Sequence, residues 1–66
     1  MSVAKVIEIH AEGKSMEDAA GSALKEAAKT VDNIRSIYIQ DIQAIVENNQ
    51  IVKYRVNAKL TFVIKG

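Results

Sequence analysis

The sequence has no cysteine, no proline, no tryptophan and only one histidine, His10. Without cysteine it has neither disulfides nor thiolate metal ligands, and one histidine excludes a His-rich zinc site within one chain. A Cys-His nucleophile is likewise excluded, and we identify no Ser-His-Asp arrangement around His10. The sequence therefore predicts a protein that is not an enzyme.

An excess of charge of one sign is also absent, because nine basic residues balance eight acidic ones for a formal net charge of +1. This balance gives no long-range attraction to nucleic acid or to an anionic membrane. No apolar run approaches the length of a membrane span, and residues 1–6 lack the pattern of a signal peptide. We therefore expect a cytoplasmic protein with no nucleic-acid partner and no membrane partner.

The chain is short, at 66 residues, and 48% of it is hydrophobic. We expect one domain that spans residues 1–66. A domain of this size is marginally stable alone and usually adds disulfides, a metal or partner subunits. Because cysteine is absent and histidine is scarce, oligomerisation is the remaining common source of stability.

Three segments have the pattern of β-strands: residues 3–12, 34–46 and 51–64. Apolar and other side chains alternate with period two in the first and last of them, as in a half-buried strand. Asn48 and Asn49 tolerate a positive φ, so they suit a two-residue hairpin turn between the second and third segments. The apolar side of the first strand consists of Ile7, Ile9 and Ala11.

An amphipathic helix separates the first two strands. Ser15 suits its N-cap, with Asp18 three residues later as a capping-box-like partner, and the helical spacing ends near Thr30 or Val31. The predicted fold class is α+β in β-α-β-β order, with a three-stranded antiparallel sheet partly wrapping one helix. The predicted buried stripe of the helix consists of Met16, Ala20, Ala23, Leu24, Ala27 and Val31.

The predicted hairpin is longer than the predicted helix. Strands of about 13 residues span roughly 43 Å, whereas a helix of about 16 residues spans roughly 24 Å. A two-residue turn pairs Ile37 with Leu60 under the helix and Ile45 with Val52 beyond it. A projecting apolar patch favours a symmetric, hollow homo-oligomer, unless the sheet coils sharply enough to cover itself. The patch consists of Ile45, Val52, Tyr54 and Val56.

Two groups of polar side chains suggest chemistry. Glu8, His10 and Glu12 share one face of the first strand, where they could bind a metal or move a proton, or else line solvent or a subunit seam. Asp41 and Gln43 fall on the otherwise apolar face of the hairpin. A carboxylate there should be solvated, paired with a neighbouring subunit or bound to a hard cation.

The order and spacing of four stretches resemble the dodecin family over nearly the whole chain. They are residues 5–9 (Lys-Val-Ile-Glu-Ile), 17–20 (Glu-Asp-Ala-Ala), 30–34 (Thr-Val-Asp-Asn-Ile) and 54–62, which runs from Tyr-Arg to Leu-Thr-Phe. The resemblance implies a hollow homododecamer that binds flavins, such as riboflavin or FMN, between its subunits and stores or protects them.

In flavin-binding dodecins a tryptophan stacks on the isoalloxazine ring and a glutamine hydrogen-bonds its edge. The resemblance places Ser36, which has no π-face, and Arg55, which has no acceptor, at these two positions. The leading hypothesis is a flavin-storage shell whose ligand lies at subunit interfaces near Ser36, Tyr38 and Arg55. The alternative is a flavin-free variant that binds calcium, magnesium or another cation through Asp41 and the acidic face of the first strand, or that is purely structural.

Overall fold

A computed structural model describes residues 3–64 of the chain. The chain runs through strand β1 (Val3–Gly13), helix α1 (Met16–Ala28), strand β2 (Ile34–Glu47) and strand β3 (Gln50–Ile64). The strands form one antiparallel sheet in the order β1-β3-β2, and α1 packs against one face of it. This arrangement confirms the predicted α+β class and β-α-β-β order. The predicted domain also includes residues 1, 2, 65 and 66, which lie outside the described residues.

Helix α1 begins as the sequence predicts, because the Asp18 amide donates a 3.0 Å hydrogen bond to the Ser15 hydroxyl oxygen. It ends at Ala28, earlier than predicted. The amides of Thr30 and Val31 both bond to the Ala27 carbonyl, at 3.1 and 3.0 Å, so the last turn closes on itself there. Within the described part of the chain, α1 is neither long nor apolar enough to span a membrane.

The buried stripe of α1 consists only of alanines: Ala19, Ala23 and Ala27 are all at most 1% exposed. The prediction was wrong at Met16 and Leu24, which are 46% and 44% exposed. Alanine has the smallest side chain that can face a sheet, so this stripe brings the helix backbone close to the strands. The two larger side chains would hold the helix away and therefore lie at its flanks.

The end of β1 shows how close this approach is. A Cβ atom added to Gly13 would lie 2.4 Å from the Ala19 amide nitrogen, so a larger residue does not fit there.

We call the sheet surface under α1 the covered face. Its centre is formed by Val56, Ala58 and Leu60 of β3, each at most 1% exposed. The predicted apolar side of β1 packs beside them and is half-buried, which confirms the alternation; it consists of Ile7, Ile9 and Ala11.

The predicted hairpin turn is confirmed, since Asn48 and Asn49 have φ of 52° and 61° and Glu47 pairs with Gln50. The predicted register, however, holds only in part of the hairpin. Ile37 pairs with Leu60 as expected, whereas Ile45 pairs with Lys53 instead of Val52.

Two β-bulges cause the difference. β3 carries one extra residue, Val52, near the turn, and β2 carries another, Gln40, between the Ile39–Ala58 and Asp41–Asn57 pairs. One extra residue moves every following side chain to the other face of a strand. The prediction that Asp41 and Gln43 lie on the apolar face is therefore wrong, because the bulge at Gln40 places them on the opposite surface.

The hairpin projects beyond the helix, and the protomer measures 52 × 19 × 13 Å. The apolar patch on this projection, which we call the tip patch, differs in membership from the predicted one. Val56 is buried between Ala11 and Ile42 in the sheet, and Ile45 and Tyr54 are half-buried. The tip patch consists of Ile42, Val46, Ile51 and Val52, each between 44% and 57% exposed.

Candidate functional site

The surface of the sheet opposite α1, which we call the open face, carries the predicted site residues. Neighbouring side chains on this face come from the three strands in rows, with Cβ atoms of paired residues about 5 Å apart. From the end near the helix C-terminus towards the tip, the rows are Val6–Thr61–Ser36, Glu8–Lys59–Tyr38, His10–Asn57–Asp41 and Glu12–Arg55–Gln43.

The first two rows supply the apolar and aromatic part of the open face. Tyr38 is 65% exposed and Val6 is 58% exposed, so both present apolar surface to solvent in the protomer. Ser36 also borders a shallow depression of about 180 Å³ at the sheet edge, which Leu24 lines from the helix side. This depression lies on the helix side of the sheet edge, since Ile34 and Ile37 of the core also line it, and it is not part of the open face.

The fourth row contains an ion pair, which Lys53 of the next row joins. The Arg55 Nε atom donates to Glu12 Oε2 at 2.8 Å, and Lys53 Nζ donates to Glu12 Oε1 at 3.0 Å. Hydrogen bonds from Lys53 and then Arg55 hold the pKa of the Glu12 carboxyl below its usual value. The bond to Glu12 therefore orients the Arg55 side chain and uses its Nε–H donor.

Sequence reasoning missed this ion pair, because it grouped Glu12 with Glu8 and His10. Glu8 and His10 do approach each other, with 3.5 Å between Glu8 Oε2 and His10 Nε2. Glu12 turns instead to the cations of β3, which lie 41 and 43 residues away along the chain. Only the pairing of β1 with β3 brings them together, and no local pattern encodes that pairing.

Asp41, the predicted metal ligand, lies on the open face, where its Oδ2 atom accepts a 3.1 Å hydrogen bond from Asn57 Nδ2. Among residues 3–64 of one protomer, no three His, Cys, Asp or Glu side chains are grouped closely enough to hold a metal ion. Calcium takes six to eight oxygen ligands. A cation site at Asp41 would therefore need oxygens from neighbouring copies.

The three predicted ligand-binding residues share the open face but do not meet in one protomer. Thr61, the partner of Ser36, lies six positions after Arg55 along β3. That interval is roughly 20 Å at the rise of a strand. A ligand that contacts both ends must therefore lie between two chains.

The Dodecin family model matches residues 3–65. The chain belongs to the dodecin family. This finding confirms the resemblance inferred from the sequence. Dodecins are in general flavin-binding dodecamers and are not enzymes.

Solved dodecin structures share the fold described above. A single-residue variant of the dodecin from Thermus thermophilus superposes with a TM-score of 0.91 at 21% identity, with 100% of both chains covered. The dodecin from Streptomyces davaonensis gives 0.89 at 17% identity, covering 98% of this chain and 97% of the other. Comparison with curated proteins finds no significant match. At these identities the dodecin structures show the fold and not the ligand.

Proposed function

We propose that the chain is a non-enzymatic flavin-binding and storage protein that works as a hollow homododecamer. The ligand, riboflavin or FMN, lies at subunit interfaces on the open face near Ser36, Tyr38 and Arg55. The observation that carries the proposal is an unpartnered sheet face with an exposed aromatic ring, Tyr38, in a member of a family that binds flavins. Sequestration in a closed site would exclude water and quench flavin photochemistry.

Self-assembly is supported by surfaces that one protomer leaves uncovered. The tip patch lies beyond the helix, and both outer strands of the sheet, β1 and β2, have a free edge. Exposed apolar patches and long free strand edges mark interfaces or aggregation hazards. A closed symmetric assembly covers both kinds of surface, which is the economical solution for a chain with so small a core.

The two ends of the open face suit different parts of a flavin. Tyr38 supplies a π-face that Ser36 lacks, and an aromatic pair is worth about 0.5–1.5 kcal/mol beyond its buried area. The Arg55 side chain is held by Glu12, and its guanidinium can stack on a ring or grip a phosphate such as that of FMN. Because Ser36 and Arg55 lie roughly 20 Å apart along the strands, the site would combine residues from two copies.

The site assignment can be tested by restoring an indole at Ser36. The Ser36→Trp change should tighten riboflavin binding about fivefold or more, since stacking adds on the order of 1 kcal/mol. Flavin fluorescence titration measures the affinity, and light scattering checks that the variant stays assembled. Ser22→Trp, at an exposed serine of α1, is the matched control and should leave affinity unchanged. Equal riboflavin affinity in the wild type and in an assembled Ser36→Trp variant would refute the assignment.

A flavin-free assembly that binds calcium or magnesium is the second candidate. The bulge at Gln40 supports it, because it turns the exposed Asp41 carboxylate onto the open face, where other copies can add oxygens. Calorimetric titration of the assembled protein with calcium tests this role. Heat of binding that Asp41→Asn abolishes would favour this candidate, and no heat in either protein would reject it.

A further inference from the structure

Gln43 lies where the sequence did not place it. Because of the bulge at Gln40, Gln43 faces the open side of the edge strand β2, directly across from Arg55 of β3. Neighbouring strands are about 4.8 Å apart, so the Gln43 amide can reach the region that a glutamine at position 55 would serve. Without the bulge, the same residue would point to the covered face.

The hydrogen-bonding capacity of the two residues differs. Arg55 offers only donors, and its Nε atom is already bonded to Glu12 at 2.8 Å. The Gln43 side chain is exposed, and none of the side-chain hydrogen bonds found within residues 3–64 uses its amide. An amide carries a donor group and an acceptor side by side. Gln43 therefore retains a pairing ability that Arg55 lacks.

The other amide on this part of the open face is less available. Asn57 Nδ2 donates to Asp41 Oδ2 at 3.1 Å, which fixes the orientation of that amide. Asn57 is also on the central strand and half-buried, whereas Gln43 is on an edge strand and exposed. Gln43 is thus an exposed amide that a planar ligand lying against this end of the face can meet.

We propose that Gln43 recognises the pyrimidine edge of the flavin, taking over the role of the glutamine that Arg55 replaces. The amide oxygen accepts from the ring N3–H, and the amide NH₂ donates to an adjacent ring carbonyl. This assignment rests on the proposed flavin-binding function and names the residue that selects the ligand. Arg55 then contributes stacking or charge beside the ring, and Glu12 keeps its guanidinium in place.

The test compares riboflavin with 3-methylriboflavin, in which a methyl group replaces the N3 hydrogen. Fluorescence titrations are made with the wild type and with Gln43→Leu, which has no polar group. One lost hydrogen bond should weaken riboflavin binding by about fivefold to tenfold. Methylation should weaken wild-type binding by a similar factor but should leave Gln43→Leu binding nearly unchanged, because the partner is already gone. Gln50→Leu, at the exposed hairpin turn, is the control and should behave as the wild type.

The outcomes separate this inference from the function it rests on. If the assembled wild type binds riboflavin and Gln43→Leu remains as sensitive to N3 methylation as the wild type, the Gln43 assignment is wrong while flavin binding stands. If the wild type leaves riboflavin fluorescence unchanged, the proposed function and the Gln43 assignment both fail. A Gln43→Glu variant, which keeps an acceptor but loses the donor, guards against misfolding of the leucine variant and should lose riboflavin affinity while the assembly stays intact.

Discussion

The two faces of the same three-stranded sheet carry different tasks. On the covered face, Val56, Ala58 and Leu60 are at most 1% exposed and pack against a helix stripe of alanines. On the open face, Tyr38 of the neighbouring strand is 65% exposed, and an ion pair joins Glu12 to Arg55. One face holds the protomer together, whereas the other offers stacking, charge and amide groups to something outside it.

The difference shows which part of so small a domain is free to serve contacts outside the protomer. The core is confined to one side of the sheet, so the other side is free of packing constraints. Side chains on the open face can therefore vary without altering the fold. The fold is shared with dodecins of 17–21% identity, which is consistent with this freedom.

The largest effect is expected from breaking the covered face. Leu60→Ala leaves a cavity beneath α1 and should lower the free energy of unfolding by about 2–5 kcal/mol. Urea unfolding at a fixed protein concentration measures this loss. Leu24→Ala removes the same atoms from an exposed helix position and should cost much less. If the two variants lost similar amounts of unfolding free energy, Leu60 would not be a core residue.

A smaller but qualitative change is expected at the tip patch. Val46→Asp puts a carboxylate into a surface that assembly would bury. Burying an unpaired charge costs on the order of several kcal/mol, so the assembly should be destabilised. Light scattering should show a mass well below that of the wild type, while circular dichroism stays the same. Asn49→Asp places the same charge at the turn, where Asp tolerates the positive φ, and should remain assembled. A wild-type mass for Val46→Asp would show that the tip patch is not an interface.

The weakest effect is expected for the ion pair of the open face. Lys53 and Arg55 lower the pKa of Glu12 from 4.5, so its carboxylate stabilises the protein above that pH and ceases to do so as the pH falls through the lower, folded-state value. Glu12→Gln should therefore reduce the melting temperature slightly at pH 7 and not at all near pH 2. Glu47→Gln, at an exposed glutamate beside the turn, is the control. A deficit in Glu12→Gln that persists at the acidic end would contradict this linkage.

The covered face could be predicted from the sequence because its pattern is local. Period-two alternation identifies Ile7 and Ile9, the Asn48-Asn49 pair identifies the turn, and Ser15 identifies the helix start. Each of these signals depends on residues close together in the chain. The buried stripe of the helix was predicted on the wrong side, because a leucine such as Leu24 is usually a core residue. Only the short distance between helix and sheet shows that alanines must fill this position.

The open face could be predicted only in part. The bulge at Gln40 adds one residue to β2 without a glycine or proline to mark it, and this single residue decides where Asp41 and Gln43 point. The contact of Glu12 with Arg55 depends on strand order, since it joins residues 43 positions apart. Periodicity and composition cannot predict side-chain contacts and bulges that depend on the pairing of distant strands.

We propose that the open face binds a flavin between subunits. The measurement that tests it most directly is a riboflavin fluorescence titration of the purified, metal-free wild-type assembly. We expect quenching that saturates at a fixed ratio of flavin to chains, because the ring would stack on Tyr38 within a closed interface. Riboflavin fluorescence that stays unchanged at saturating protein, in a sample that light scattering shows to be assembled, would contradict the claim.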